Sequence, residues 1–355
     1  MATSPRTNDA AANPATGGAA PKPVNLALQG GGAHGAFTWG VIDRLLEDGR
    51  ISVESLVGTS AGAMNAAVTA HGLVTNGRDG ARDALERFWR AVSEAALFSP
   101  IKPSPLDRWM SVGNLDFSPM FQWFDALTRM ASPYQINPAN FNPLRDILYE
   151  QVDFKRIRAN SDIKLFTCAT NVNTGRIKVF RTHEMTAERV LASACLPFLY
   201  QAVEIEGQHY WDGGYMGNPP LYPLFYECAT QDILLVMINP IRMAEVPRSP
   251  TAIFDRINEI SFNSNLMREM RAIQFVTDLI DKGFDDGGRL KKMRIHTVDA
   301  EEQMRRLSTS SKLNAGWPFL CWLRDLGRAR GHAFLDEHYD KVGVESSTDV
   351  RERFL

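Results

Sequence analysis

The chain has 355 residues, more than one average domain but within reach of a single large α/β domain with additions. With 44% hydrophobic and 23% charged residues it has the composition of a globular chain able to bury a core. The formal net charge of −2 argues against a general nucleic-acid binder, and the basic cluster Arg289, Lys291, Lys292, Arg294 is offset by Asp281, Asp285 and Asp286.

Residues 1–23 are rich in Ala, Pro, Thr and Asn and lack the continuous apolar core of a secretory signal; they read as a disordered tail. No segment has the apolar length of a transmembrane helix, so a cytoplasmic protein is expected, with any membrane contact peripheral. Cys168, Cys195, Cys228 and Cys321 are scattered without metal-ligand spacing and read as reduced, buried thiols; no metal is expected.

Val24 to Gln29 is a short apolar strand, followed by the loop Gly30-Gly31-Gly32-Ala33-His34-Gly35 and an amphipathic helix through Trp39, Val41, Ile42, Leu45 and Leu46. A second strand, Val53 to Val57, leads into Gly58-Thr59-Ser60-Ala61-Gly62 and an alanine-rich helix. Strand, glycine loop, helix, strand, turn, helix is the α/β order. From about residue 81 to 142 the texture changes to helical pieces broken by prolines and loaded with bulky residues such as Trp89, Trp109 and Trp123, which reads as an insertion. Strands are predicted again at Ile163 to Ala169, Arg176 to Phe180, Val203 to Trp211 and Ile233 to Ile238. Residues 241–355 read as a mostly helical extension packed on the core, with helices near 253–282 and 319–339 and one strand-like piece at Met293 to Val298.

A lone serine between two glycines at a strand-to-helix turn is the sequence form of a nucleophile elbow. The bland alternative is that Ser60 caps the helix. The triple-glycine loop offers unobstructed N–H groups to an anion, either a nucleotide phosphate or the oxyanion of an acyl-transfer intermediate. Gly30, Gly32 and Gly35 do match G-x-G-x-x-G, but the acidic residue expected at the end of the second strand is not evident. In the oxyanion reading the donors are amides of Gly31, Gly32 and Ala61. None of the seven histidines stands in a recognisable catalytic context. Asp212 stands at a predicted strand end before Gly213 and Gly214, which would fit either a base or a turn aspartate.

Gly30 to Gly35, Gly58 to Gly62 and Asp212-Gly213-Gly214, in this order, resemble the three motifs of the patatin-like phospholipases. Ala192 to Phe198 resembles the short element that precedes the aspartate in that family. The resemblance spans about residues 26–238. It implies a three-layer α/β/α fold around a mostly parallel sheet in a catalytic domain over 24–240, and a lipid acyl hydrolase of phospholipase A type acting without cofactor on a lipid or other acyl ester. In it Ser60 is the nucleophile, Asp212 the general base, and the glycine loop the oxyanion hole. One departure is His34, where the family usually has Arg or Lys; its charge would vanish around neutral pH. A base without histidine requires burial to raise the carboxylate pKa, which an apolar cleft built by the aromatic insertion would supply. The rivals are a Ser-Asp-His triad using His296, His332 or His338, a dinucleotide-binding protein, and a lipid-binding module without turnover.

Overall fold

In the computed structural model, which describes residues 20–243 and 245–355, the sheet grows from the βα units that the glycine loop and the elbow punctuate. The tail expected over 1–23 lies outside the described residues up to residue 19. Strand β1 (Lys22–Leu28) is followed by helix α1 (Gly35–Asp48) and strand β2 (Ile51–Gly58), which pairs in parallel with β1. Helix α1 stops where Gly49 takes the left-handed conformation, φ 77°, and returns its N–H to the Leu45 carbonyl.

Helix α2 (Ala61–Ala95) is longer than the sequence suggests. It kinks at Asn76 and Gly77, then resumes with Ala81, Ala84, Leu85, Phe88 and Trp89 buried, a helical i, i+3, i+4, i+7, i+8 face. The bulky segment that leaves the core therefore starts at residue 96 rather than near 81. It holds α3 (Pro105–Met110), α4 (Pro119–Met130) and α5 (Pro133–Ile136), each opened by a serine at the N-cap and a proline inside the first turn. Helices α6 (Pro143–Gln151) and α7 (Phe154–Ala159) return the chain to the sheet.

Next come β3 (Lys164–Asn171), β4 (Ile177–Phe180), α8 (Ala187–Ser193) and the hairpin β5 (Val203–Ile205) with β6 (Gln208–Asp212). Helix α9 (Tyr222–Glu227), β7 (Asp232–Val236), α10 (Pro250–Asp281), β8 (Arg294–Val298), α11 (Glu301–Met304), α12 (Trp317–His338) and α13 (Val350–Phe354) complete the chain. Strands β3, β2, β1, β7 and β8 are parallel neighbours, while β4 and β6 join β3 antiparallel.

Alternation along the strands divides the core into two layers. Leu26, Leu28, Leu56, Leu165 and Leu234 face a cluster with α1, α2, α8 and α12. Ala27, Val57, Phe166, Ile233 and Ile295 face a second cluster that includes Leu266, Met270 and Ile273 of α10. The segment after residue 240 thus gives the sheet its last strand and each face a helix. Among the described residues no helix is long and apolar enough to cross a membrane.

Candidate active site

Strand β2 delivers Ser60 to the carboxyl end of the sheet with φ 54° and ψ −123°, a region that non-glycine residues rarely occupy and that stores strain. The surrounding structure holds it there: the Ser60 N–H donates to both the carbonyl and the hydroxyl of Ser193, each at 3.1 Å. Space also dictates the flanking residues. A Cβ on Gly58 would overlap the Gly62 carbonyl, and one on Gly62 the Leu28 carbonyl. The Ser60 side chain makes no capping hydrogen bond to α2, so the helix-cap reading fails.

Register on β3 explains how Asp212 reaches this turn. β4 occupies one edge of β3 from Thr167 to Thr170. β2 pairs there up to Gly58–Thr167, and β6 pairs from Asp212–Ala169 onward, so both must use the opposite edge, end to end. Gly58 and Asp212 are then separated by two positions along β3, about 7 Å. The last residues of two antiparallel strands meet head to head.

Asp212 is fully buried. Its Oδ1 accepts from the Gly214 N–H at 2.7 Å, and its own N–H donates to the Cys195 carbonyl at 2.8 Å. Among the described residues Oδ2 has no hydrogen-bond partner. The Ser60 hydroxyl is near enough to favour the carboxylate but does not reach hydrogen-bond geometry. Burial outweighs both the Gly214 N–H and Ser60, and pushes the pKa from 3.8 up to about 7. The two glycines that follow are set by space: a Cβ would strike Cys168 at Gly213 and the Phe262 ring at Gly214.

The glycine loop closes the other side. Gly30 donates its N–H to Asn218 Oδ1 at 2.6 Å, and its carbonyl accepts from Asn239 Nδ2 at 2.8 Å. A Cβ at Gly30 would stand 2.6 Å from Cβ of Ser60. Among the described residues the N–H groups of Gly31, Gly32 and Ala61 donate to no protein acceptor. His34 is buried, places Nε2 2.7 Å from Ser311 Oγ, and meets the Phe319 ring edge-on. Burial, helped by Lys312, lowers its pKa to about 3, so His34 is neutral at physiological pH and not poised near neutrality as its type suggests.

Gly30, Gly31, Gly32 and Ser60 open on a cleft of about 450 Å³, and Asp212 is buried out of it. Its walls are apolar: Phe121 and Phe124 from α4, Leu196 and Phe198 after α8, Phe254 and Phe262 from α10. The bulky segment after α2 thus contributes α4. The α10 wall, and the polar group Asp255, Glu259 and Lys312, gave no local sign in the sequence, because they reach the cleft only through the packing of the last third of the chain. Lys312 Nζ donates to Asn239 Oδ1 at 2.9 Å, and burial lowers its pKa. A second cleft, about 430 Å³, shares no residue with the elbow or the glycine loop and is lined by paired charges such as Arg353 with Asp299.

No histidine lines the Ser60 cleft among the described residues. His296 is fully buried between Asp232 Oδ1, 3.0 Å, and Ser347 Oγ, 2.9 Å, on the strand beyond β7. His332 pairs with Asp336, and His338 lies beside the second cleft. The triad expectation therefore lacks its third member. The dinucleotide expectation lacks its ribose ligand, since β2 ends in Gly58 and leads to Ser60. Cys168, Cys195 and Cys228 are buried free thiols, and Cys321 is half-buried.

A family model for patatin-like phospholipases matches residues 26–225, more than half of the chain, and the chain belongs to this family of lipid hydrolases. Solved structures with similarity include VipD from Legionella pneumophila, 16% identical over 94% of this chain and 73% of that one, TM-score 0.44. The type III effector protein ExoU is 16% identical over 89% of this chain and 53% of its own, TM-score 0.34. ExoU in its heterodimeric complex with SpcU from Pseudomonas aeruginosa is 18% identical over 70% of this chain and 52% of that one, TM-score 0.30. These likenesses are too distant to place any residue. No curated protein matches the chain.

Proposed function

We propose that the protein hydrolyses acyl esters of lipids through a Ser60–Asp212 dyad. What carries the reading is a strained serine that opens on an apolar cleft and stands next to a buried carboxylate whose Oδ2 has no hydrogen-bond partner among the described residues. Asp212 takes the Ser60 proton as Oγ attacks the ester carbonyl; the carbonyl electron pair moves to oxygen, where N–H groups of Gly31, Gly32 and Ala61 receive the negative charge. Collapse of the tetrahedral adduct breaks the bond to the alcohol, which leaves with the proton held by Asp212. Water then attacks the acyl-serine, Asp212 again accepting and returning a proton, and the fatty acid departs.

A carboxylate with its ordinary pKa is a weak base at pH 7, and burial is the remedy available here. Acyl chains lie against Phe121, Phe124, Phe254 and Phe262, and the Lys312 amine stands beside the loop in which His34 is neutral. A fluorophosphonate probe tests the assignment: it should label wild-type protein at Ser60 and leave Ser60→Ala unlabelled, and release of fatty acid from phospholipid should vanish in Ser60→Ala and Asp212→Asn. Labelling that survives Ser60→Ala, or release that survives either substitution, overturns the dyad.

A further inference from the structure

Between the end of α2 and the start of α6 the chain leaves the core for 47 residues, 96–142, of which six are charged: Lys102, Asp107, Arg108, Asp116, Asp125 and Arg129. At the chain's overall 23% about eleven would be expected, and the six sum to zero net charge. This uncharged stretch does not hide its large side chains. Phe98 is 92% exposed, Trp109 83%, Trp123 60%, Met130 87% and Phe141 67%. They sit on separate short segments, so no one fault of packing exposes them.

Helix α4 ties this surface to the catalytic cleft. Phe121, Phe124 and Thr128 line the cleft, while Met120, Trp123 and Met130, on the adjoining helical stripe, face solvent. One helix thus gives the site Phe121 and Phe124, beside Asp125, Thr128 and Arg129, and still turns three large apolar side chains outward. Across the mouth Arg129 of α4 lies over the Phe254 ring of α10 at 4.7 Å, and Ile253, Ile257 and Ile260 of α10 are themselves exposed. Phe198 belongs to both sets, lining the cleft at 56% exposure.

We propose that this surface docks on a zwitterionic lipid surface, with Trp123 of the cleft-lining helix α4, and Trp109, Phe98 and Phe141 of the same uncharged segment, reaching the interfacial layer. The occupant follows from continuity and charge. An exposed apolar surface carried by α4 and α10, the helices that line the cleft, meets whatever holds the substrate, and, resting on the reading proposed above, a lipid ester comes from an aggregate that such a surface would touch directly. Amphipathic aromatic rings favour the bilayer interface, and zero net charge suits insertion driven by apolar area rather than attraction to anionic head groups.

The experiment uses the full chain carrying Ser60→Ala, so that no hydrolysis alters the membrane, mixed with phosphatidylcholine vesicles and separated by flotation. Binding should persist at high salt, and tryptophan emission should shift to shorter wavelength on binding. Adding Trp109→Ser and Trp123→Ser should lower vesicle partitioning about tenfold or more. Tyr226→Ser, an 81% exposed aromatic at the opposite end of the strands beside the Lys164–Glu227 contact, should leave it unchanged. In a chain with Ser60 intact, the two tryptophan substitutions should leave hydrolysis of a monomeric short-chain ester within twofold of wild type. Absence of vesicle binding, equal partitioning in the double tryptophan variant, or self-association through those residues in place of membrane binding overturns the proposal. Vesicle binding without any esterase activity of the Ser60-intact chain leaves the docking surface standing and sinks the hydrolase reading instead.

Discussion

Ser193 receives the amide proton of Ser60 on two oxygens, its backbone carbonyl and its own hydroxyl, each at 3.1 Å. Ser193 is the last residue of α8, so its carbonyl is one that the helix itself cannot satisfy. Two residues later the Cys195 carbonyl accepts the N–H of Asp212. One turn of chain thereby fixes the backbones of the proposed nucleophile and of its base. Ser193→Ala removes the hydroxyl and keeps the carbonyl; it should cost about 1 kcal/mol and slow turnover roughly fivefold with little change in KM. Steady-state kinetics beside a thermal melt check this, and an unchanged kcat would show that the carbonyl alone suffices.

The pKa of Asp212 makes two properties move in opposite directions. As a base it must be ionised, so kcat/KM on a non-ionising ester should rise about tenfold per pH unit below 7 and level off above it. Its folded pKa of about 7 lies above its ordinary 3.8, so between these values the native state holds a proton that the unfolded chain has lost. Stability contributed by this group is therefore present at low pH and lost as pH rises through 7. Asp212→Asn should abolish activity while raising the melting temperature at pH 8, by roughly 1–2 °C for each kcal/mol relieved. A melting temperature at pH 8 below that of the wild type would contradict the burial argument.

His34, its pKa lowered to about 3, carries no charge beside the glycine loop, and the amine there is that of Lys312. His34→Gln should leave the pH profile between 5 and 8 in place, because a group with pKa about 3 does not titrate there. Lys312→Met keeps much of the stem and removes the amine near Asn239 and Gly30; turnover should fall about tenfold, about 1.4 kcal/mol of barrier. Comparing the two pH–rate profiles decides the matter, and a His34→Gln profile displaced by a full unit would return the role to the histidine.

Gly30 is constrained by space rather than by its dihedral angles. Its missing side chain is the gap in which Ser60 stands, with Cβ of Ser60 at 2.6 Å and the Thr59 carbonyl at 2.7 Å from any added methyl group. Gly30→Ala should cut the rate of fluorophosphonate labelling at least a hundredfold, since either the loop or the elbow must move. A folded Gly30→Ala protein labelling at the wild-type rate would show that the loop can retreat without loss.

The local chemistry of the site was legible in the chain. Gly58-Thr59-Ser60-Ala61-Gly62 announces a strained turn because only small flanking residues fit between Leu28 and the first turn of α2. Most strands and the two long helices after residue 240 also fall where periodicity places them, because alternating burial and helical spacing are local properties, but the single strand expected over Val203 to Trp211 is a hairpin of β5 and β6 that turns at Glu206 and Gly207, both at positive φ. The boundary of the aromatic segment did not: Phe88 and Trp89 look like insertion residues until the register with Ala81, Ala84 and Leu85 shows them facing the core. The titration of His34 was equally hidden, since its type suggests pH sensitivity and only its neighbours remove it.

Sequence alone determined the order of the elements, the glycine loop, the elbow and the aspartate before two glycines. Tertiary structure decided that β2 and β6 share one edge of β3, that Ser193 and Cys195 hold both residues from one short segment, and that α10 and Lys312 wall the cleft. The physical reason is separation along the chain: Ser60 and Asp212 are 152 positions apart, and their meeting depends on strand pairing and burial that no local pattern encodes.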